Sequence, residues 1–401
     1  MNLNHQNPAL ILGRFETALG VVWSLRKYLQ GNIYTLDNKK DITYYSRFSK
    51  SLFCPNPIEN EEKYLDRLFT ISKEFEQKPV LFITSDNHLK IVNCNQELLS
   101  DYYHFNMASS ELLNVIGDKS KLSQLALKNN IAVPLTYTIE CKSDLDTILV
   151  KDIIFPLFLK GLDVNSWRQK VHGSKKGYII NSKEELNKRG EAILKLNVPY
   201  VLQEVIQGPD TNHYKVCVLY SKNGKQLLNF TLQKIRQNPI HFGVGAVVES
   251  IYYPELSDLG TKLFDSINFR GIGSAEFKLD EKDGKLKLIE INTRYWQQNY
   301  LATVCGMNFP LIDYFEATDQ NYSSVSEFQY GIKWINRFMD FDSFLAYKKE
   351  DELTFSSWLK TLKGKKISSN FRLIDPLPAL ANINFGMKII NLPKFLLKKR
   401  I

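Results

Sequence analysis

The chain has 401 residues and a formal net charge of +9. That length exceeds one ordinary core and points to two or three globular domains; no apolar run approaches the roughly 18 residues of a membrane span. The positive balance fits anionic partners (nucleotide, anionic substrate or membrane surface), and nothing resembles a nucleic-acid-binding motif. The five cysteines, Cys54, Cys94, Cys141, Cys217 and Cys305, are scattered and never in C-x-x-C spacing. That predicts free thiols in a reducing cytoplasm and argues against a zinc or disulfide framework. The opening MNLNHQNPALILG lacks the basic leader and long apolar core of a signal peptide.

The first 117 residues read as α/β. Ala9–Leu12 is a short apolar strand ending in Gly13, Thr17–Leu29 has apolar residues at helical spacing, and Ile33–Leu36 is a second strand ended by Asp37. Val80–Thr84 is a third strand, followed by Ser85-Asp86 as a helix cap. Strands alternating with helices predict a parallel sheet. A dinucleotide site is rejected. G-x-G-x-x-G is absent, and Phe15 and Glu16 occupy the turn where glycines would admit pyrophosphate. Asp37 then reads as sheet punctuation, and the loops Gly13–Glu16 and Ser85–Asn87 are weak site candidates.

From 118 onward the motifs become denser. Gly117-Asp118-Lys119 opens a helix over Ser120–Lys128, and Ile131-Ala-Val-Pro134 leads into a strand. Phe155–Gly161 (FPLFLKG) is an apolar strand with Lys160 near its end, where a phosphate is a natural counterion. Asp163–Gly177 carries two glycines and Arg168, Lys170, Lys175 and Lys176, a loop able to cover phosphates through side chains; His172 within it reads as structural. Ser182 caps the next helix. Tyr200–Ile206 is a strand ending at Gly208-Pro209-Asp210. Tyr214–Tyr220 and Leu227–Leu232 flank Asn223-Gly224, a hairpin signal. Lys234 and Arg236 are expected to emerge from that strand, either solvated or available to a carboxylate or phosphate. Leu256–Ile267 is an amphipathic helix. Of the aromatics after the next hairpin, Tyr295 and Trp296 read equally as packing or as an acceptor-pocket wall.

The stretch Gly271–Arg294 (GIGSAEFKLDEKDGKLKLIEINTR) reads as a β-hairpin about an Asp283-Gly284 turn. Glu276 and Glu290 fall on its two arms, and Asn292 shares a face with Glu290 by the period of two. Two carboxylates and an amide oxygen form a hard oxygen cluster that suits Mg²⁺. E-F-x-x-D, a turn and I-E-I-N-x-R resemble the metal-binding hairpin of the ATP-grasp superfamily. With the G-D-K helix, the P-x-x-x-K strand and the Tyr200–Asp210 segment, four motifs stand in that superfamily's order.

The resemblance implies a mixed α/β and α+β protein: a Rossmann-like pre-ATP-grasp domain over 1–117, an ATP-grasp domain over 118–317 and a small extension over 318–401. It implies ATP with Mg²⁺ (or Mn²⁺). Lys119 and Lys160 would meet the phosphates, Gln203 or Glu204 the adenine amino group, Val205 and Ile206 would supply backbone contacts, and Asp210 would take the ribose hydroxyls. Glu276, Glu290 and Asn292 would hold metal. Glu290, Lys160 and Arg294 would be the catalytic set, with Arg294 stabilising an acyl phosphate. The nearest pattern is that of carboxylate–amine ligases such as D-aspartate-ligase-like enzymes, joining a small-molecule carboxylate to an amine in cell-wall or surface-polysaccharide work. A non-catalytic nucleotide-binding scaffold and a phosphotransferase on the same fold are the alternatives. Aspartate where the superfamily usually has glutamate, and the cationic 163–177 loop, are departures from its pattern. The tail Gly386–Ile401 has five cations and no acids. It reads either as docked on the core or as a membrane-surface element, placing the protein in the cytoplasm with or without contact to the inner membrane face.

Overall fold

The computed structural model describes residues 6–171 and 177–381. His172, Lys175, Lys176 and the basic tail lie outside the described residues. Two compact units divide the chain: one takes the described residues of 1–113, 214–275 and 291–401, the other 114–213 and 276–290.

In the first unit β1 (Ala9–Leu12), β2 (Ile33–Asp37), β3 (Lys50–Phe53) and β4 (Val80–Ile83) form a parallel sheet in the order β3-β2-β1-β4. β1 and β4 are buried along their whole length, as strands covered on both faces must be. The helix Phe15–Leu25 is buried nearly all round, Trp23 included, so it forms part of the core and has no solvent face. The predicted opening sheet is present; β3 and the helix Glu61–Lys73 extend it beyond the expectation. Lys50-Ser-Leu-Phe53 carries no buried residue, so it lacks the alternation that marks a strand in sequence.

The second unit contains β5 (Thr136–Ile139), β6 (Leu157–Gly161), β7 (Gly177–Ile180) and β8 (Tyr200–Glu204), ordered β5-β8-β6-β7 and antiparallel throughout. Leu145, Leu159, Trp167, Leu186, Tyr200 and Leu202 are among its own core residues. The helix Lys183–Leu194 starts where Ser182 Oγ accepts from Glu185 N, as expected. Asp163–Gly177 does not run as loop throughout: Asp163 accepts from Ser166 N at 2.7 Å and caps a short helix, Val164–Lys170.

β9 (His213–Tyr220), β10 (Gln226–Asn238), β11 (Val244–Ser250), β12 (Gly271–Leu279), β13 (Leu286–Asn292), β14 (Ile332–Ile335) and β15 (Lys365–Ser368) make a third sheet, ordered β13-β12-β9-β10-β11-β14-β15. The unit boundary falls within β12 and β13. The turn between them closes with Asp280 N donating to Lys285 O at 2.9 Å and with Gly284 at φ +69°, the left-handed conformation that glycine adopts without strain in an Asp-Gly turn. No helix of the described residues is long and apolar enough to cross a membrane.

Candidate functional site

Most of the sequence-selected residues lie in the second unit. Lys160 stands near the end of β6, opposite Val201 of β8. Its ammonium donates to Gln203 Oε1 at 2.7 Å, and Gln203 Nε2 donates to Thr136 Oγ1 at 3.1 Å. The amide orientation follows from chemistry, since an ammonium cannot accept. A polar row thus crosses β6, β8 and β5, with Gln203 buried and Lys160 half-buried.

Glu204 ends β8. Its backbone N–H donates to Leu135 O at 2.8 Å, and its carboxylate accepts from Leu135 N at 3.1 Å. Lys287 of β13 lies 3.4 Å from both carboxylate oxygens of Glu204 and 2.6 Å from Asp280 Oδ2. Burial works against both charges of the Lys287–Asp280 pair. Burial is the largest single influence on each, but their mutual hydrogen bond acts together with the charges of Glu204 and Asp283 on the lysine and with backbone donors on the aspartate; the sum raises the lysine above its usual range and holds the aspartate below its own. The sequence reading missed this pair. Lys287 stands between Leu286 and Leu288 in a strand rich in Leu and Ile, and that was the available signal.

Beyond β8, Val205 N donates to Pro156 O at 3.3 Å and Ile206 is buried. Gly208 has φ +113°, and a Cβ there would fall 2.5 Å from Asn212 Nδ2, so the turn requires glycine. Asn212 in turn donates to Glu281 Oε1 at 3.2 Å. Asp210 opens the single turn Asp210–Asn212 and is 9% exposed. Lys278, also unselected from sequence, feels it. Burial lowers the lysine's pKa, while Asp210, Asp280 and Glu281 act to raise it. Lys119 is the first residue of its helix, whose cap is Asp118, accepting from Ser120 N at 2.9 Å and Lys121 N at 3.1 Å. The helix begins one residue before the predicted start. Glu276 lies on β12, 8% exposed, and Glu290 on the adjacent β13, half-buried.

Asn292 and Arg294 belong to the first unit. Arg294 makes a bidentate pair with Asp86, Nε to Oδ1 at 2.6 Å and Nη2 to Oδ2 at 2.9 Å, and Nη1 donates to Tyr295 O at 3.1 Å. Asp86 heads a helix capped by Ser85, so the Ser85–Asn87 loop serves to hold this arginine. Asp37 lies 3.7 Å from Arg14 and 3.4 Å from His88. In the Gly13–Glu16 loop, Phe15 N donates to Asp41 Oδ2 at 2.6 Å and Glu16 accepts from Asn336 Nδ2 at 2.8 Å. Burial raises the Glu16 pKa.

Lys234 and Arg236 do not emerge into solvent. β10 continues to Asn238, and they are 4% and 2% exposed. Arg236 Nε donates to Asp340 Oδ1 at 2.5 Å, and its Nη1 bonds Thr361. Asp340 lies 104 residues away in sequence, beyond any local pattern. Tyr295 and Trp296 are core: the tyrosine donates to Asp313 Oδ2 at 2.7 Å, and the indole packs edge-on against Phe309.

No family model matches the chain. It is 21% identical over 280 residues to D-aspartate ligase of Enterococcus faecium (strain Aus0004), an alignment that takes in 66% of each chain, just under two thirds of that enzyme's length. Among solved structures, L-amino acid ligase from Bacillus licheniformis is similar at TM-score 0.60 and 14% identity, over 78% of this chain and 74% of that one. The biotin carboxylase domain of Hydrogenobacter thermophilus 2-oxoglutarate carboxylase, solved with MgADP and bicarbonate, gives 0.61 at 18% identity over 82% and 74%. N5-carboxyaminoimidazole synthetase from Staphylococcus aureus gives 0.59 at 14% over 81% of each chain. The chain therefore shares the mixed α/β fold of these solved structures.

Proposed function

We propose that this chain is an ATP-dependent, ADP-forming carboxylate–amine ligase, organised as an opening Rossmann-like domain, an ATP-grasp domain and an extension. The observation that carries the reading is the polar row of the second unit. Lys160 is tied to Gln203, Glu204 follows on the same strand, and Asp210 stands past an obligatory glycine turn. One small unit thus offers an ammonium for phosphate, the backbone of the segment that leaves β8 for a base and a buried acid for ribose hydroxyls. Lys119 and Lys160 neutralise phosphate charge. Gln203 or Glu204 meets the adenine amino group, and the backbone of Val205 and Ile206 completes its recognition.

The donor set fits a divalent cation. Glu276 is a buried carboxylate on a strand beside that of Glu290, and Asn292 follows two residues on; hard oxygens of this kind suit Mg²⁺ or Mn²⁺. When bound, the ion would shield the charge that builds on the transferring phosphoryl group. The carboxylate substrate attacks the γ-phosphorus, the bond to the β-phosphate bridging oxygen breaks, and ADP departs with that electron pair. The amine then attacks the acyl carbon, phosphate leaves with the electron pair of the broken acyl–oxygen bond, the nitrogen releases a proton and an amide remains. Arg294, four residues beyond Glu290, is the fixed cation for the oxyanion of that second step. Its bidentate pairing with Asp86 orients the guanidinium. The likeness to D-aspartate ligase and to L-amino acid ligase supports an amino acid as one substrate; a place in cell-wall or surface-polysaccharide metabolism is part of the proposal.

The test is ADP release across a panel of amino acids with product analysis. A ligase yields ADP, phosphate and a new amide; a phosphorylated acceptor would replace this reading with a kinase. Glu290→Gln is expected to lower Mg²⁺-dependent turnover by roughly 100-fold or more with the far-UV circular dichroism unchanged. Near wild-type turnover in that variant removes the metal assignment.

A further inference from the structure

The carboxy-terminal part of the first unit presents a face that the proposed chemistry does not use. The helices Arg337–Lys349 and Phe355–Thr361, β15 and residues 371–374 line an open cleft of about 730 Å³. Its walls include Phe341, Trp358, Leu362, Phe371, Leu373 and Ile374. Leu373 is 88% exposed at this cleft, Phe341 50%, and Phe355 on the same helix as Trp358 is 56% exposed. Contiguous apolar surface of this kind marks an interaction site on a soluble domain.

Its charge says what kind of partner it fits. Residues 353–374 carry Lys360, Lys363, Lys365, Lys366 and Arg372 and no acid. Arg337, Lys366 and Arg372 line the cleft itself, and none of the three pairs with a carboxylate among the described residues. The acid in the cleft wall, Asp340, is occupied by Arg236 and by Trp358 Nε1 at 3.0 Å. Arg372 lies over the rings of Trp23 and Tyr300, 5.6 and 4.6 Å from their centroids. Those rings hold the guanidinium in place without neutralising it. A second copy of this chain meeting the face about a twofold would set like cations against one another.

We propose that this face docks on an anionic membrane surface. Leu373, Phe341 and Phe355 enter the boundary between head groups and acyl chains, and Arg337, Lys365, Lys366 and Arg372 meet lipid phosphates. The proposal uses none of residues 386–401 and does not depend on the ligase reading.

The full chain is mixed with sedimentable vesicles of phosphatidylcholine alone, or of equal parts phosphatidylcholine and phosphatidylglycerol. It is expected to sediment with the second and not the first, and to be released as salt rises. Lys365→Glu/Lys366→Glu changes exposed side chains and is expected to weaken binding by more than about tenfold, at roughly fivefold per basic charge. Leu373→Ser, nearly fully exposed, is expected to weaken it by several-fold while the circular dichroism of both variants stays that of the wild type. Absence of sedimentation with the anionic vesicles overturns the proposal. So does binding that both variants retain, which would place it elsewhere on the chain. Sedimentation velocity showing a dimer that Leu373→Ser dissociates would overturn it as well, by making a second copy the occupant.

Discussion

Asp313 is a carboxyl with almost no access to water, 5% exposed in the helix Phe309–Ala317. It accepts from Tyr295 Oη at 2.7 Å and from Asn106 Nδ2 at 3.5 Å. Those bonds favour the ionised form, yet burial dominates and raises its pKa from 3.8 to about 7. Between those two values the folded chain holds a proton there that the unfolded chain has released. The stability this contributes is complete below pH 3.8 and is lost as pH rises to about 7. Asp313→Asn mimics the neutral acid, since the amide can donate to Tyr295 Oη while its oxygen still accepts from Asn106. Urea titrations across that range are expected to show the variant matching the wild type at the acid end. Above pH 7 it should exceed the wild type by on the order of 4 kcal/mol. Glu16, also raised by burial, adds slope of the same sign to both proteins, so the difference between them reports Asp313. Parallel curves would mean that Asp313 ionises normally in the folded chain.

At the scale of elements, β10 and the helix Arg337–Lys349 are joined by a buried ion pair. Arg236 and Asp340 are each nearly inaccessible, and the aspartate also accepts from Trp358 on the next helix. Removing one partner strands the other charge, so Asp340→Ala is expected to cost about 3–5 kcal/mol by chemical denaturation. Replacing both, Arg236→Leu with Asp340→Leu, should recover a large part of that loss. If the double variant is no more stable than the single, the pair's electrostatics are not what holds these elements. This junction also shows where sequence reading stops. The Asp-Gly and Asn-Gly turns, the Ser182 and Ser85 caps, the alternation in β12 and β13 and the parallel opening strands were all legible, because each is set by neighbours a few residues away. The same local logic brought Lys234 and Arg236 out of the strand, solvated or open to a carboxylate or phosphate, because the acid that permits burial of Arg236 lies on a distant helix. Within the candidate site, Lys160 was legible as a lysine on an apolar strand. Its Gln203 partner and the Lys287–Asp280–Glu204 cluster were not, since they depend on how β6, β8 and the hairpin are registered. Glu276 and Glu290 were placed on the two arms of the hairpin by its turn and its alternation, and β12 and β13 carry them.

For the whole molecule, the placement in the second unit of every residue assigned to the nucleotide has a measurable consequence. That unit has its own antiparallel sheet and its own core, from Ile139 to Leu202. A nucleotide seated on its polar row would bind the folded form alone and stabilise it by linkage, about 2.7 kcal/mol at a concentration 100 times Kd. Amide hydrogen exchange resolves where that free energy is felt. Adding MgADP is expected to slow exchange in β6, β8, the Val205–Asp210 segment and the β12–β13 turn, and to leave β1, β2 and β4 close to their ligand-free rates. Lys160→Met should weaken the effect at fixed nucleotide by about tenfold in apparent Kd, near the 1.4 kcal/mol of one charge-assisted hydrogen bond. Protection centred on the parallel opening sheet, or undiminished in Lys160→Met, would move the nucleotide off β6 and β8. A ligase that binds its triphosphate on this row must show both the local protection and its dependence on Lys160, because the ammonium is the cation that ties β6 to Gln203 on β8.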